Sequence, residues 1–447
     1  MKIIIAGAGA IGRHLAKLFT KEHHDITLID EDEEKLLNIG ANFDLLTLCA
    51  SPTSLATLIN ADIKKADLFI SVMPDEAHNI MSCILANRLG AKKTVSRVDN
   101  PEYALMQNEE IFKSVGINSI VYPEQLAGQE IIQNIKRSWV RQWIEVQDGE
   151  LLLICVKVRE DARCLDVPLR DLCAPDMPLH VVAIKRHGET LIPHGNDVLR
   201  CLDAVYFMTT PKYVPYLREI AGKTDYPDVK NVFFLGGGKT TERALVHLPD
   251  YMRAKVFESD IHRIEQLDST LNNPHVMFIH SDGRDVDLLV EEGIHNAQAF
   301  VAATGNSETN VLACLAAKRL GVRKTVAVVE NSDYIAMAES LDIGSIINKK
   351  RLAAGHIYRM ILKADVTTVK NLTVAAADVA EFVVKEGSKV TRRPVKDLKL
   401  PPEVTLGGMV RGKEGVLING NTLLQTGDRV VAFCLEGSLK RLEKYFN

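Results

Sequence analysis

Short apolar runs alternate with longer amphipathic stretches along the first part of the chain. The short runs are rich in Ile, Leu and Val, which is typical of strands buried on both faces of a parallel sheet. The stretches between them repeat their apolar positions with helical spacing. We predict strands at 2–6, 25–29, 44–48, 67–72, 94–98 and 119–121. We predict helices at 11–19, 33–39, 54–59, 76–89 and 102–113. This alternation indicates an α/β fold with a doubly wound parallel sheet.

The pattern changes after this first alternation. Trp139 and Trp143 are spaced i, i+4, so we predict a connecting helix over 126–143 with one strongly apolar face. Beyond it, strands separated by prolines and glycines predict a small α/β lobe. These strands are expected at 151–158, 179–185, 189–192 and 204–208. We interpret residues 222–228 as a linker.

The chain then repeats itself. The first strand runs into Gly7-Ala8-Gly9-Ala10-Ile11-Gly12, and the strand at 232–235 runs into Gly236-Gly237-Gly238. Arg88-Leu89-Gly90 recurs as Arg319-Leu320-Gly321 at nearly the same offset. A duplication of this size predicts two tandem Rossmann-like domains, each followed by a small lobe. We expect a first nucleotide-binding lobe at 1–122, a connecting helix within 123–148, a small lobe at 149–222, a second nucleotide-binding lobe at 229–361 and a second small lobe at 367–447.

Composition and charge exclude several classes of protein. The 447 residues carry a formal net charge of −4, and without a basic block this argues against a nucleic-acid binder. The eight cysteines contain no C-x-x-C pair, which argues against zinc and against a disulfide framework. No apolar stretch reaches the length of a membrane span, and no signal segment precedes the first strand. We therefore expect a cytosolic protein that can still bind a membrane partner.

The first glycine motif has the context of a dinucleotide-binding fingerprint, because it follows a strand and opens a helix. Gly7 allows the tight turn, Gly9 lets a pyrophosphate approach the backbone, and Gly12 lets the helix pack on the strand. The phosphates would lie at the helix N-terminus. Asp30 ends the next strand and would accept hydrogen bonds from the ribose hydroxyls. Its charge would repel the 2′-phosphate of NADP, so NAD(H) or a plain adenine nucleotide is expected. The alternative is a Rossmann-like scaffold with an empty pocket.

The second glycine motif departs from the fingerprint. In Gly236-Gly237-Gly238-Lys239-Thr240-Thr241, Thr241 stands where the third glycine should be. Glu258 ends the next strand and can take the part of Asp30, while Lys239 adds a positive charge beside the phosphate position. A P-loop is excluded because Phe233 stands where that motif needs its first glycine. We predict a second nucleotide site over Gly236 to Thr240 with Glu258.

Further residues are expected at the carboxyl ends of the strands, where open α/β sheets bind their ligands. Asp282 follows the third strand of the second copy, whereas the first copy has no acid at that position. Met73-Pro74 and Thr304 follow the fourth strands. Arg97 ends the fifth strand and could pair with phosphate; a surface salt bridge is the equally weighted alternative.

Each half of the chain resembles a known regulatory module. In the nucleotide-binding lobe the resemblance rests on the first glycine motif with Asp30, then Asn79, Arg88-Leu89-Gly90 and Arg97-Val98-Asp99-Asn100-Pro101-Glu102-Tyr103. In the small lobe it rests on Ile184-Lys185-Arg186 with Gly188 and on Ile192-Pro193 with Gly195-Asn196-Asp197. Together they resemble the RCK domain (regulator of potassium conductance, also called KTN) with its C-terminal lobe. Two such modules in tandem are similar to the cytosolic regulatory subunits of bacterial Trk potassium uptake systems.

This resemblance implies a peripheral protein on the inner face of the plasma membrane. It implies a homotetrameric ring beneath a TrkH- or TrkG-like potassium-translocating subunit. It also implies NAD(H) as ligand, with ATP or ADP as further effectors. The residues implied to hold NAD(H) are Gly7 to Ile11, Asp30, Met73, Pro74 and Arg97 in the first copy, and Gly236 to Thr240 with Glu258 in the second.

We interpret the chain as a nucleotide-sensing gating subunit and not as an enzyme. The sequence contains no nucleophile elbow, no catalytic carboxylate pair in motif spacing and no metal motif. The rival is an NAD-dependent oxidoreductase, which would need a substrate domain with a proton donor that the two similar small lobes do not offer. A third interpretation, a regulatory subunit of another ion transporter, differs only in the partner.

Overall fold

The computed structural model describes residues 1–21, 24–174, 177–331, 333–361, 366–371, 377–435 and 438–446. Its internal contacts divide the chain into two units. The first unit contains Met1–Ala127 and Asn348–Ile361, and the second contains Gly128–Ile347 and Leu362–Asn447.

The first half of the chain contains a Rossmann-like domain and then a small lobe. The elements of the Rossmann-like domain are β1 (Lys2–Ala6), α1 (Ala10–Lys21), β2 (Asp25–Asp30), α2 (Glu33–Gly40), β3 (Leu46–Cys49), α3 (Leu55–Asn60), β4 (Leu68–Ser71), α4 (Glu76–Arg88), β5 (Thr94–Arg97), α5 (Glu109–Ser114) and β6 (Ser119–Val121). The following elements are α6 (Pro123–Ile135), β7 (Gln142–Val146), β8 (Leu151–Lys157), α7 (Leu169–Leu172), β9 (His180–Arg186), β10 (Glu189–Leu191), β11 (Ala204–Thr209) and α8 (Val214–Ile220).

The second half repeats this order. Its Rossmann-like elements are β12 (Asn231–Leu235), α9 (Lys239–Val246), β13 (Arg253–Glu258), α10 (Ile261–Leu271), β14 (Val276–His280), α11 (Val286–Glu291), β15 (Ala299–Ala302), α12 (Ser307–Arg319), β16 (Lys324–Val328), α13 (Asp333–Ser340), β17 (Ser345–Ile347) and α14 (Lys349–Ile361). Its small-lobe elements are β18 (Val366–Asn371), β19 (Ala377–Val383), β20 (Val404–Arg411), β21 (Glu414–Leu417), β22 (Arg429–Leu435) and α15 (Leu439–Phe446).

The two large sheets are parallel and share one topology. Their strand orders are β3-β2-β1-β4-β5-β6 and β14-β13-β12-β15-β16-β17. Ile3, Ile4 and Ile5 of the central strand β1 are fully buried, because helices cover both faces of the sheet. In each sheet the strand order reverses beside the central strand, and this reversal leaves a crevice at the carboxyl ends of the strands. The predicted fold class is confirmed.

Helix α14 belongs to the first unit, although it follows the last strand of the second large sheet in the chain. It packs against α1, where the rings of Phe19 and Tyr358 lie 5.7 Å apart. Both side chains are buried. The first Rossmann-like sheet is therefore covered partly by residues that lie far along the sequence.

The two small lobes repeat one antiparallel topology. Their sheets have the orders β10-β9-β11-β8-β7 and β18-β19-β22-β20-β21. Side chains of both sheets, including Tyr206, Met208 and Phe433, enclose a common core. Each lobe also contains a buried aspartate paired with an arginine, Arg186 with Asp203 and Arg411 with Asp428, both at 2.7 Å. The duplication seen in the sequence is thus repeated in three dimensions.

The structure corrects two predicted helices. The helix expected over 126–143 ends with α6 at Ile135, and Trp143 lies on strand β7, so residues 123–148 do not form one connecting helix. The helix expected over 102–113 is two short 3-10 turns followed by α5. The predicted linker, 222–228, contains no helix or strand, and Ser138 Oγ donates to its Pro227 carbonyl at 2.6 Å.

In the part of the chain that the structure describes, no helix is long and apolar enough to cross a membrane. The eight cysteines are free thiols. Burial raises the pKa of the Cys83 thiol above its ordinary range and that of Cys155 to about 12. Both therefore act as apolar core residues.

Candidate nucleotide-binding crevices

The first glycine motif forms a tight loop between β1 and α1. Gly7 has a φ of +105°, which favours glycine. A Cβ at Gly12 would lie only 1.8 Å from the Gly7 carbonyl oxygen, so this position requires glycine. A Cβ at Gly9 would meet no atom within 4 Å. The backbone at Gly9 is therefore open on the side where a phosphate can approach.

Asp30 is bound to this loop. Its Oδ2 accepts the backbone N–H of Ala8 at 2.5 Å, and its Oδ1 accepts that of Asp32 at 2.9 Å. A carboxylate oxygen has a second acceptor position, so each oxygen of Asp30 can still accept a ribose hydroxyl. The carboxylate thus fixes the glycine loop and stands where the sequence placed the ribose contact.

Asn79 on α4 connects the ends of two strands. This buried side chain accepts the N–H of Met73 at 2.8 Å and donates to the carbonyls of Met73 at 2.9 Å and Arg97 at 3.1 Å. Asn310 does the same in the second copy, with Thr304 and Val328. Asn79 is named in the sequence analysis only as part of a family resemblance. Its hydrogen bonds to the ends of two strands could not be predicted, because no local sequence pattern indicates them.

Arg97 and Met73-Pro74 lie at the same end of the first sheet. Arg97 Nη2 donates to Asp99 at 2.8 Å, and its Nη1 lies 3.5 Å from the Met73 carbonyl. The Arg97 Nε is buried and has no hydrogen-bond partner among the described residues. The backbone N of Met73 is 3.1 Å from the position of a Cβ on Gly7. Arg97 therefore has its salt bridge and also a free donor near the crevice.

The second crevice is a cavity of about 490 Å³. Of the predicted residues, it brings together Gly236, Gly238, Glu258, Asp282 and Thr304. Gly237, Lys239 and Thr240 lie outside its lining, and Lys239 is exposed on the first turn of α9.

Glu258 reproduces the arrangement seen at Asp30. Its Oε2 accepts the N–H of Gly237 at 2.7 Å, and its Oε1 accepts that of Asp260 at 2.9 Å. Thr241 is buried, and its Oγ1 donates to the Gly236 carbonyl at 2.6 Å. The second loop thus accommodates a side chain at the third position by bonding it to the loop's first residue. The loss of the third glycine leaves the loop intact.

Two arginines at the second crevice were not predicted. Arg284 Nε donates to Asp282 Oδ1 at 2.8 Å, and this hydrogen bond lowers the pKa of Asp282 to about 2. Arg263 Nε donates to the Gly237 carbonyl at 2.8 Å, and its Nη2 donates to Glu242 at 2.7 Å. Asp282 is therefore an ionised partner of Arg284. Both residues line the crevice, and their charges cancel.

No group of His, Cys, Asp and Glu suited to a metal ion occurs in the described ranges. The fold defines a tandem protein in which each half joins a Rossmann-like domain, with a crevice at its strand ends, to a small antiparallel lobe. The TrkA-N domain model matches residues 3–123 and 232–349, more than half of the chain, and the TrkA-C domain model matches 379–447. The chain therefore belongs to the TrkA-N domain family.

Relatives match along the whole chain. It is 28% identical to the Trk system potassium uptake protein TrkA of Halomonas elongata, over 98% of this chain and 96% of that protein. It is also 28% identical to a TrkA homolog of Archaeoglobus fulgidus, over 100% of both chains. Both proteins are named for potassium uptake.

Solved structures show the same fold. The GsuK RCK domain has a TM-score of 0.61 at 16% identity and covers 100% of this chain and 94% of its own. The GsuK channel bound to NAD has a TM-score of 0.60 at 15% identity and covers 100% of this chain and 78% of its own. At this level of identity the likeness establishes the fold alone.

Proposed function

We propose that the chain is the nucleotide-sensing regulatory subunit of a Trk-type potassium uptake system. It binds NAD(H) in its two Rossmann crevices, and binding changes its conformation. This conformational change gates a TrkH- or TrkG-like potassium-translocating subunit at the inner face of the plasma membrane. The observation that carries this proposal is the pair of glycine loops, each bonded to an acidic residue at the end of the next strand. The names of the full-length relatives support the potassium uptake system as the setting.

The choice of NAD(H) follows from Asp30 and Glu258. Each carboxylate already holds two backbone N–H groups in place, so its orientation is fixed before the ligand arrives. A fixed carboxylate favours two ribose hydroxyls and repels the 2′-phosphate of NADP. ATP and ADP share the ribose and the phosphates and are expected as competing ligands. A neighbour of like fold is described as bound to NAD.

The two crevices differ in their other contacts. In the first, we propose that the Arg97 guanidinium, which is bonded to Asp99, turns toward a phosphate, and Met73-Pro74 borders the loop. In the second, Thr304 lines the cavity together with the ion pair of Asp282 and Arg284. Unequal affinities of the two crevices for a nucleotide are therefore expected.

Gating needs only a modest difference in affinity between two conformations of the assembly, which we propose is a homotetrameric ring. A ligand shifts the two populations by its differential affinity. A tenfold preference corresponds to about 1.4 kcal/mol, comparable to one hydrogen bond to a charged group. Because Asp30 contacts both the glycine loop and Asp32, a ribose bond to it can alter the loop directly.

We also propose that the functional lobes follow the expected limits of 1–122, 149–222, 229–361 and 367–447. The exception is α14, which belongs to the first unit. A chain truncated to the first nucleotide-binding lobe would therefore lack the helix whose Tyr358 packs on Phe19.

Calorimetric titration tests ligand binding. NADH, NAD, NADPH, ATP and ADP are titrated into the wild-type chain and into Asp30→Ala and Glu258→Ala. We expect saturable NADH binding that each substitution weakens at one site, with NADPH bound much more weakly than NADH. Asp44→Ala is the matched control, because Asp44 is exposed and precedes β3, at the amino ends of the strands and away from the glycine loop. Absence of nucleotide binding to the wild type would leave the two domains as an assembly scaffold.

The oxidoreductase alternative is tested separately. Steady-state NADH oxidation is measured with a panel of keto acids, and we expect no turnover above the rate without protein. If the chain instead regulates another ion transporter, the nucleotide-binding results should be the same. Ion transport by a Trk-type membrane subunit should then not change when the chain is added.

A further inference from the structure

A second kind of cavity lies in the second unit, away from the nucleotide crevices. It has a volume of about 730 Å³ and is bordered by the first small lobe and the second Rossmann-like domain. Lys324 begins β16 and Gly344 precedes β17, so the cavity lies at the amino ends of these parallel strands. The nucleotide crevice lies at their carboxyl ends. A ligand in this cavity would therefore occupy a separate site.

Four basic side chains of the cavity wall converge on one carboxylate. Asp342 Oδ1 lies 2.7 Å from Arg141 and 3.0 Å from Lys157, while its Oδ2 lies 2.5 Å from Arg159 and 2.8 Å from Lys318. The surrounding cations hold the pKa of Asp342 far below its usual range, even though burial opposes this. One negative charge cannot neutralise four positive charges, so the cluster has a positive excess.

Two further lysines of this wall are almost completely buried. Lys324 is 3% exposed and donates to the Val140 carbonyl at 2.6 Å and to Ser345 Oγ at 3.1 Å. Lys223 is 2% exposed, and its Nζ has no hydrogen-bond acceptor among the described residues. This Nζ lies 4.9 Å from the centroid of the Tyr226 ring. A buried ammonium without an acceptor is costly unless an anion pairs with it.

The wall as a whole is strongly positive. Arg323 adds a seventh basic side chain and also lies over the Tyr226 ring, at 5.6 Å. Among the described residues, Asp161 and Asp225 on the wall and Asp342 behind it oppose these charges. Burial lowers the pKa of Lys324 to about 7, so Lys324 is left out of the charge count. The other six basic groups against three acidic groups leave an excess of three positive charges around a cavity large enough for a small ligand. The chain itself has a net charge of −4, so this excess is local.

We propose that this cavity binds a small anion carrying several phosphate groups. Lys223 supplies the unpaired donor, and Arg159 and Lys157 turn from Asp342 toward the bound phosphates. The ligand would join the first small lobe, which carries Lys157 and Arg159, to the second Rossmann-like domain, which carries Lys318 and Lys324. It would thereby stabilise one arrangement of these two domains without entering either nucleotide crevice.

The test uses inorganic tripolyphosphate as the probe and the full-length chain. Phosphate binding at the glycine loops is first removed by Gly9→Asp combined with Gly238→Asp. A Cβ at Gly9 meets nothing within 4 Å, and one at Gly238 meets only the Ala303 carbonyl at 3.9 Å. Both aspartates therefore fit and repel phosphate. NADH binding to this double variant reports on the crevices, while tripolyphosphate binding reports on the basic cavity.

We expect the double variant to bind tripolyphosphate by calorimetry, and Lys223→Met in this background to weaken that binding at least tenfold. Lys212→Met is the matched control, because Lys212 also lies over a tyrosine ring but is exposed outside the cavity. It should bind as the background does. Arg323 is an exposed residue of the wall, and Arg323→Gln should weaken tripolyphosphate binding several-fold. This second variant keeps the test valid if Lys223→Met does not fold. Loss of all tripolyphosphate binding in the double variant, or unchanged binding after Lys223→Met or Arg323→Gln, would overturn the proposal.

Discussion

Gly12 is the position where the first glycine loop tolerates no side chain, and Gly12→Ala is the sharpest perturbation of that loop. The added methyl group would lie 1.8 Å from the Gly7 carbonyl oxygen, and 3.0 Å from its carbonyl carbon. An ordinary carbon–oxygen contact is about 3.3 Å or longer. The loop or helix α1 must therefore move by more than about 1 Å, in a region where neither Gly7 nor the buried Ile11 has free space.

The expected cost is that of overpacking a rigid core. Such insertions destabilise by about 1–3 kcal/mol, and for a domain of this size each kcal/mol lowers the melting temperature by about 2–4 °C. We therefore expect the melting transition of the first unit to fall by about 2–12 °C. Displacement of the loop also removes the phosphate position, so NADH affinity at the first crevice should fall at least tenfold, or about 1.4 kcal/mol.

Scanning calorimetry and NADH titration are applied to Gly12→Ala and to Gly9→Ala. Gly9 is the matched control, because a methyl group there meets no atom within 4 Å. Gly9→Ala should retain the melting temperature and lose only nucleotide affinity, whereas Gly12→Ala should lose both. Binding at the second crevice should persist in both variants. A Gly12→Ala chain with the stability and the NADH affinity of the wild type would refute this account of the loop.

Three other outcomes follow from single contacts. Asn79→Leu leaves the Met73 N–H without an acceptor and removes the amide donor to the Arg97 carbonyl. It should destabilise the chain by about 3 kcal/mol, whereas Asn60→Leu at an exposed helix end should not; calorimetry measures both. Arg284 lowers the pKa of Asp282 to about 2. In Arg284→Gln this pKa should return toward its ordinary value of 3.8, which NMR titration measures. Any stability that the pair contributes to the folded chain is complete above pH 3.8 and is lost as the pH falls through 2. Burial lowers the pKa of Lys324 from 10.5 to about 7. Between these pH values the unfolded chain binds more protons than the folded chain, so the stability and the melting temperature should rise with pH. Lys324→Met should remove this rise, and an equal rise in the variant would contradict the prediction.

The local pattern of apolar residues was sufficient to predict the strands of the large sheets. The strand predicted at 2–6 is β1, and the strands at 25–29 and 119–121 match β2 and β6 closely. Buried parallel strands are nearly continuous apolar runs, and the glycine motif marks where the first of them ends. The same signals repeated in the second half were enough to predict the tandem architecture.

Predictions failed where distant residues decide the structure. Trp139 and Trp143 have helical spacing, but Gln142–Val146 pairs with β8 as an edge strand, and strand pairing overrides the local pattern. Trp143 instead lies under Arg137, at 3.7 Å from the ring centroid.

Much of the candidate site could be predicted, because its residues stand at strand ends. Asp30 and Glu258 lie at the expected positions and bond to the glycine loops. Arg263 and Arg284 could not be found in this way, since their roles depend on the packing of α10 and on an ion pair with Asp282. The basic cavity joins residues from 141 to 342 in sequence and has no linear motif.

The central claim is that nucleotides in the two crevices regulate potassium movement. It is tested most directly by rubidium uptake into proteoliposomes that contain a Trk-type membrane subunit and this chain, with and without NADH or ATP. We predict that nucleotide changes the uptake rate with the wild-type chain, and that the Gly9→Asp, Gly238→Asp double variant gives a rate independent of nucleotide. An uptake rate that does not respond to nucleotide with the wild-type chain, or a double variant that responds as the wild type does, would contradict the account.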